Sequence, residues 1–278
     1  MPELAVMSLI RDDQPLNAMV DFAVENDFKA IELNGRRHCA EKLSQEELDY
    51  FRGVADGHGI TINLHYNHGA LPGSHSTSVW HETLESLKRN LEMTKNLGGK
   101  VVVLHPGKID VPTLAAPEDG SELIRREAIR NLKRFVRQVA PVAEGLGINV
   151  CIENLFHDPG YVLQSYEDLA SVIDDADSPN VGATVDVGHC NRGDGIPDAI
   201  RVLGDRVRHL HLNDVIDGVD HHEIGTGILD LDEMEPLVAH DLNVEFATLE
   251  VGARSPDGEG IILRSRDVLR KRYGAAVG

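Results

Sequence analysis

At 278 residues with 41% hydrophobic side chains, the chain can form one large α/β barrel or two ordinary domains, and it is too apolar to be disordered. No apolar run approaches the roughly 20 residues that span a bilayer, and the opening MPELAVMSLIRDDQ lacks a signal-peptide pattern, so a cytoplasmic protein is expected. Acidic residues outnumber basic ones 46 to 27, a net charge of -19 that opposes a broad grip on nucleic acid or anionic membrane.

Short β-branched or apolar runs alternate with longer amphipathic stretches. Strands are predicted at 4–10, 29–33, 60–64, 100–104, 148–152, 181–185, 207–212 and 244–249. Helices are predicted near 14–26, 44–58, 76–97, 119–146, 165–176, 196–203, 230–240 and 260–273. Ser44 with Glu47 forms a capping box, Gly98-Gly99 closes the third helix, and Gly145 and Gly147 flank the end of the fourth. Eight alternating units point to a single (β/α)8 TIM barrel over residues 1–278. An open doubly wound sheet accounts less well for the polar residues that follow nearly every later strand.

In such a barrel the chemistry sits at the C-terminal ends of the strands. The third ends in His65, the fourth in His105, the fifth in Glu153, the sixth in Asp186 with His189, the seventh in His211 and the eighth in Glu250. Asp220, His221 and His222 follow the seventh. Each alone reads as a cap or a solvated loop residue. Six consecutive strands ending this way point to a divalent metal (Mn, Zn, Co or Mg), because a cation relieves the repulsion of crowded carboxylates. His209 and His211 share a strand face by parity, so His211 is read as the ligand and His209 as a buried histidine one layer deeper.

The series from IELN through TLEV resembles the xylose isomerase-like TIM-barrel superfamily, which joins sugar isomerases and epimerases with endonuclease IV. The resemblance implies a metal held by Glu153, Asp186, His211 and Glu250, with His189 of the D-x-x-H run on metal or substrate. It also implies that Glu153 and Glu250 flank the substrate as acid and base. The implied activity is a metal-dependent sugar or sugar phosphate isomerase or epimerase: chelation acidifies a C–H and stabilises an enediolate, and a glutamate removes and returns the proton. The partner is a small molecule, and homo-oligomerisation stays open.

The competing implication is endonuclease IV-like hydrolysis at abasic DNA. That branch adds metal ligands that His65, His105 and Asp220 match. His222 matches with one residue deleted before Ile224-Gly225, and His221 matches without the deletion. Glu32, the LEVG after the eighth strand and an aromatic content of 4% favour the sugar branch. Asn34, Arg36 and Arg37 form either a phosphate-contacting loop or surface arginines. A dehydratase on the same barrel, or a noncatalytic sugar-binding barrel, is a further alternative.

Lesser features have plain readings. Lys108 and Arg254 read as solvated loop residues or anion holders, and Trp80 as a packed residue or a stacking platform. Gly225-Thr226-Gly227 lacks the P-loop lysine and reads as a close backbone approach. Cys39, Cys151 and Cys190 are odd in number and lack CxxC spacing, which argues against a disulfide framework or a thiolate zinc site, and Cys190 reads as a small buried residue. The acidic surplus with little lysine fits a high-salt cytoplasm, which weakens the case against nucleic acid. Stability that collapses between molar and millimolar salt would support that origin.

Overall fold

Each predicted apolar run becomes a strand. The strands are β1 (Glu3–Met7), β2 (Ala30–Asn34), β3 (Thr61–His65), β4 (Val101–Leu104), β5 (Asn149–Glu153), β6 (Val181–Asp186), β7 (Val207–Leu212), β8 (Asp214–Ile216), β9 (Val219–His222) and β10 (Phe246–Leu249). The helices are α1 (Leu16–Glu25), α2 (Gln45–His58), α3 (Thr77–Asn96), α4 (Glu118–Leu146), α5 (Tyr166–Ala176), α6 (Val187–Asn191), α7 (Ile196–Leu203), α8 (Leu231–Ala239) and α9 (Gly258–Tyr273). These come from a computed structural model that describes residues 2–8, 16–66, 69–110, 118–239, 242, 244–252 and 255–274. Eight parallel strands close in the order β1-β10-β7-β6-β5-β4-β3-β2, while β8 and β9 pair as a separate antiparallel hairpin. This is a (β/α)8 barrel.

Strand parity builds two cores. Outward residues such as Leu4, Ile31, Leu64, Val102 and Leu210 join the large cluster under the helices. Inward Ala5, Ala30, Val101, Val103, Cys151 and Phe246 form a second cluster that fills the barrel. Along α3, Trp80, Leu84, Leu87 and Leu91 recur every three or four residues and are buried, the stripe that seats a helix on the strands. The capping box at α2 forms as expected, with Ser44 and Glu47 exchanging bonds.

Two elements are unexpected: the five-residue α6, and the β8–β9 hairpin that carries Asp220 to His222 over the mouth. Asp217 (φ 51) and Gly218 (φ 74) make its tight turn. The ends of three predicted elements, at residues 9–10, 14–15 and 240, lie outside the described residues, as does Arg254. Cys190 is buried, and burial pushes its thiol up to about 12, as an inert core residue requires. No described helix is long and apolar enough to cross a membrane.

Candidate metal centre

The last residues of β5 and β6, the second-last residue of β7 and the residue after β10 point inward at one level. Register places Asp186 beside His211 on adjacent strands. His211 Nδ1 stands 3.0 Å from Glu250 Oε2, 3.3 Å from Glu153 Oε1 and 3.9 Å from Asp186 Oδ2. The structure therefore brings all four expected ligands together, with one donor atom of each within 4.8 Å of the others.

Glu153 faces two ways. Its Oε2 lies 2.8 Å from His105 Nε2 and 3.4 Å from His65 Nε2, so His65, His105 and Glu153 form a second group sharing that carboxylate. His189, Asp220 and His221 form a third. There His189 Nδ1 donates to the Asn154 carbonyl at 2.8 Å and His221 Nδ1 to the Glu250 carbonyl at 3.1 Å. Both rings then turn Nε2 toward Asp220, each at 3.6 Å. His221 sits at φ 64, a costly conformation for a non-glycine residue, with its backbone N–H bonded to Asn213 Oδ1. Of the two equal candidates, His221 thus joins the cluster, while His222 lines the cavity above it.

Charge in the centre is strongly perturbed. Burial opposes ionisation of Glu153, but His105 and His211 hold its carboxyl well below the usual range. Burial likewise opposes Glu250, and His221 and His211 hold it low. Burial pushes Asp186 up against the pull of His189, with Glu153 adding to the rise. For His211, burial favours the neutral ring, yet Glu32, Glu153 and Glu250 keep its proton on well above the ordinary value. Without an ion, that imidazolium is the positive charge among the carboxylates.

The donor set fits a divalent cation. Glu250 Oε2 and Glu153 Oε2 are buried and take no aligned hydrogen bond, although histidine nitrogens lie at 3.0 and 2.8 Å. Buried carboxylate oxygens left this way are costly, and mixed imidazole and carboxylate donors suit Mn, Zn or Co.

The centre opens on a cavity of about 920 Å³ lined by Asn34, Arg36, His105, Phe156, Tyr161, Arg192 and the hairpin. Of the quartet, Glu153 and Glu250 line it, while Asp186 and His211 do not. Asn34 and Arg36 of the suggested phosphate loop reach the cavity, and Arg37 does not line it. Lys108 is an exposed residue 5.0 Å over the Tyr161 ring. Trp80 is buried and does not line the cavity: its ring packs edge-on to Phe135 and its Nε1 donates to the Asn131 carbonyl, so the stacking-platform alternative falls.

Four residues escaped the sequence reading. Asn213 Nδ2 donates to both Asp186 oxygens, at 3.1 and 2.9 Å. Asn154 Oδ1 accepts from the Asp186 backbone N–H at 2.7 Å. Gly188 leaves room for this clamp, since a Cβ there would stand 1.9 Å from Asn213 Oδ1. Asp214 accepts from the N–H groups of Val215, Gly225, Gly227 and Leu229 at 2.8 to 2.9 Å. The two glycines of the Gly-Thr-Gly turn therefore spend their N–H groups on Asp214, Thr226 donates to the Glu223 carbonyl, and Gly227 is pressed against the Val215 carbonyl. Only the ENL and HLND contexts at strand ends hinted at the two asparagines.

The sequence is 28% identical over 240 residues to an uncharacterized protein of Methanocaldococcus jannaschii, covering 84% of this chain and 78% of that protein. It is 32% identical over 126 residues to the D-psicose 3-epimerase of Enterocloster bolteae, covering 41% of this chain and 40% of that enzyme's length. It is 24% identical over 227 residues to a probable endonuclease 4 of Thermotoga maritima, covering 73% and 74%. The fold matches a D-psicose 3-epimerase from Clostridium cellulolyticum, solved with D-tagatose, with a TM-score of 0.78 at 15% identity over 98% of both chains. The family described as xylose isomerase-like TIM barrel matches residues 20–272, and the chain belongs to that family.

Proposed function

We propose that this chain is a divalent-metal-dependent isomerase or epimerase of a sugar or sugar phosphate. The carrying observation is that Glu153 and Glu250, both held anionic, are the quartet carboxylates that open on the cavity, with Asp186 and His211 behind them. Glu153, Asp186, His211 and Glu250 would hold the cation, whose charge when bound acidifies a C–H beside a chelated carbonyl. Glu153 or Glu250 takes that proton onto its carboxylate, and the same or the facing glutamate returns it. Return to the neighbouring carbon isomerises the sugar, and return to the opposite face epimerises it. Similarity to D-psicose 3-epimerase supports a ketose as the first substrate to try.

The test is a screen of ketoses, aldoses and their phosphates, followed by Glu153→Gln and Glu250→Gln. Each substitution should lower turnover by about 10²- to 10⁴-fold, the usual share of a general acid or base, with the fold intact. Substantial residual activity in both would sink the assignment.

A second reading, a multi-metal phosphodiesterase acting on abasic DNA, is favoured by one observation: Glu153 presents one oxygen to each of two ligand groups, with a third group beside them. Bridged ions would clamp attacking and leaving oxygens. Cleavage of an abasic duplex without action on any sugar would establish it.

A further inference from the structure

Glu32 is the middle residue of β2, with its side chain fully buried. Its Oε1 accepts from His211 Nε2 at 3.0 Å and lies 3.3 Å from His65 Nδ1. Its Oε2 accepts from His209 Nε2 at 2.8 Å and from Thr248 Oγ1 at 2.6 Å. An ionised carboxylate only accepts, so the ring nitrogens facing it carry hydrogen. A cation in the quartet would replace the second proton of the His211 imidazolium, and the ring's lone pair would then fall on Nδ1, which faces Glu153, Asp186 and Glu250. That of His65 falls on Nε2, aimed at His105 and Glu153. Inward residues on the same wall, Ala5, Ala30 and Phe246, are apolar, so the carboxylate depends on these partners for its stability.

We infer that Glu32 is the positioning residue of the metal centre, one carboxylate beneath the mouth that orients a histidine in each of two neighbouring ligand groups. His209 and Thr248 in turn hold Glu32, which gives the deeper histidine its place. This inference rests on reading the quartet as a metal site, and it is independent of what the substrate is.

The test titrates Mn²⁺ or Zn²⁺ into stripped full-length protein against a competing chelator, comparing wild type with Glu32→Ala and Glu32→Gln. Loss of an outer-sphere partner to a ligating histidine typically weakens metal binding by ~10- to 100-fold, and that loss is expected at both groups. The alanine variant leaves histidines without their carboxylate, so Thr248→Val supplies a milder second variant. It should weaken binding in the same direction by a smaller factor while the fold is kept. A purely structural Glu32 would lower the melting temperature and leave both affinities at the wild-type value, which would overturn the inference. Wild-type protein that takes up neither ion would instead overturn the metal reading itself, a separate outcome.

Discussion

The two sides of the barrel mouth orient their histidines by different means. On the strand side, His211 is backed by the carboxylate of Glu32, and its other nitrogen faces three more carboxylates. On the hairpin side, His189 and His221 are backed by main-chain carbonyls, and the charge of Asp220 is answered by Arg192 at 2.5 Å. That guanidinium is itself fixed, 3.6 Å over the Phe156 ring. The strand side is thus short of positive charge and the hairpin side supplies its own. A diffusible cation belongs where the chain has not attached one.

The largest effect should come from His211→Ala. It removes the nitrogen at the centre of the quartet and leaves Glu32, Glu153 and Glu250 facing each other in the interior. Ion affinity, followed by metal analysis after dialysis, should fall well beyond the ~10- to 100-fold that an outer-sphere partner costs. Retention of a stoichiometric ion would mean that the strand side is not the principal site, and the contrast between the two sides would break.

The strand side was also the more legible in the sequence, for a physical reason. Its ligands sit at or beside the ends of regular strands, so the apolar run that announces a strand also announces where its last residues point; parity put His209 and His211 on one face, and distance from the mouth separated them. What failed was everything that depends on a partner distant in the chain. Glu32 stood out only by resemblance, because the two histidines that donate to it, His209 and His211, come from β7, which is not a neighbour of β2 in the barrel. Asn154 and Asn213 gain their roles from Asp186, which β6 places between them. The hairpin was passed over because VIDGVD follows HLHLND without a break in polarity, although the Asp217-Gly218 pair is a recognised turn signal. The choice between His221 and His222 needed the backbone angle at His221, which no spacing rule carries.

Gly188→Ala should act next in size, through the strand side. The added Cβ would stand 1.9 Å from Asn213 Oδ1, forcing that amide off the Asp186 carboxylate and off the His221 N–H. Overpacking of this kind costs about 1–3 kcal/mol, to be measured by denaturant unfolding of the stripped protein. Ion affinity should fall as well, since Asp186 loses its two donated hydrogen bonds. A variant with wild-type stability and affinity would show that the asparagine clamp is incidental.

The smallest effect on stability, and the sharpest on the comparison, is expected from Arg192→Met. The pair with Asp220 is partly exposed, at 25% and 10%, so its removal should change unfolding free energy by no more than about 1 kcal/mol. Of its ion-pair partners among the described residues, Asp220 then keeps His189 and His221, each offering Nε2, which is a donor set open to a cation. The variant should therefore take up one ion more per chain than wild type at the same free Zn²⁺, counted by elemental analysis or anomalous scattering. Wild-type protein already carrying an ion among His189, Asp220 and His221 would reverse the comparison. Arg192 would then be displaced by the metal rather than standing in for it, and the phosphodiesterase reading would gain what the sugar reading loses.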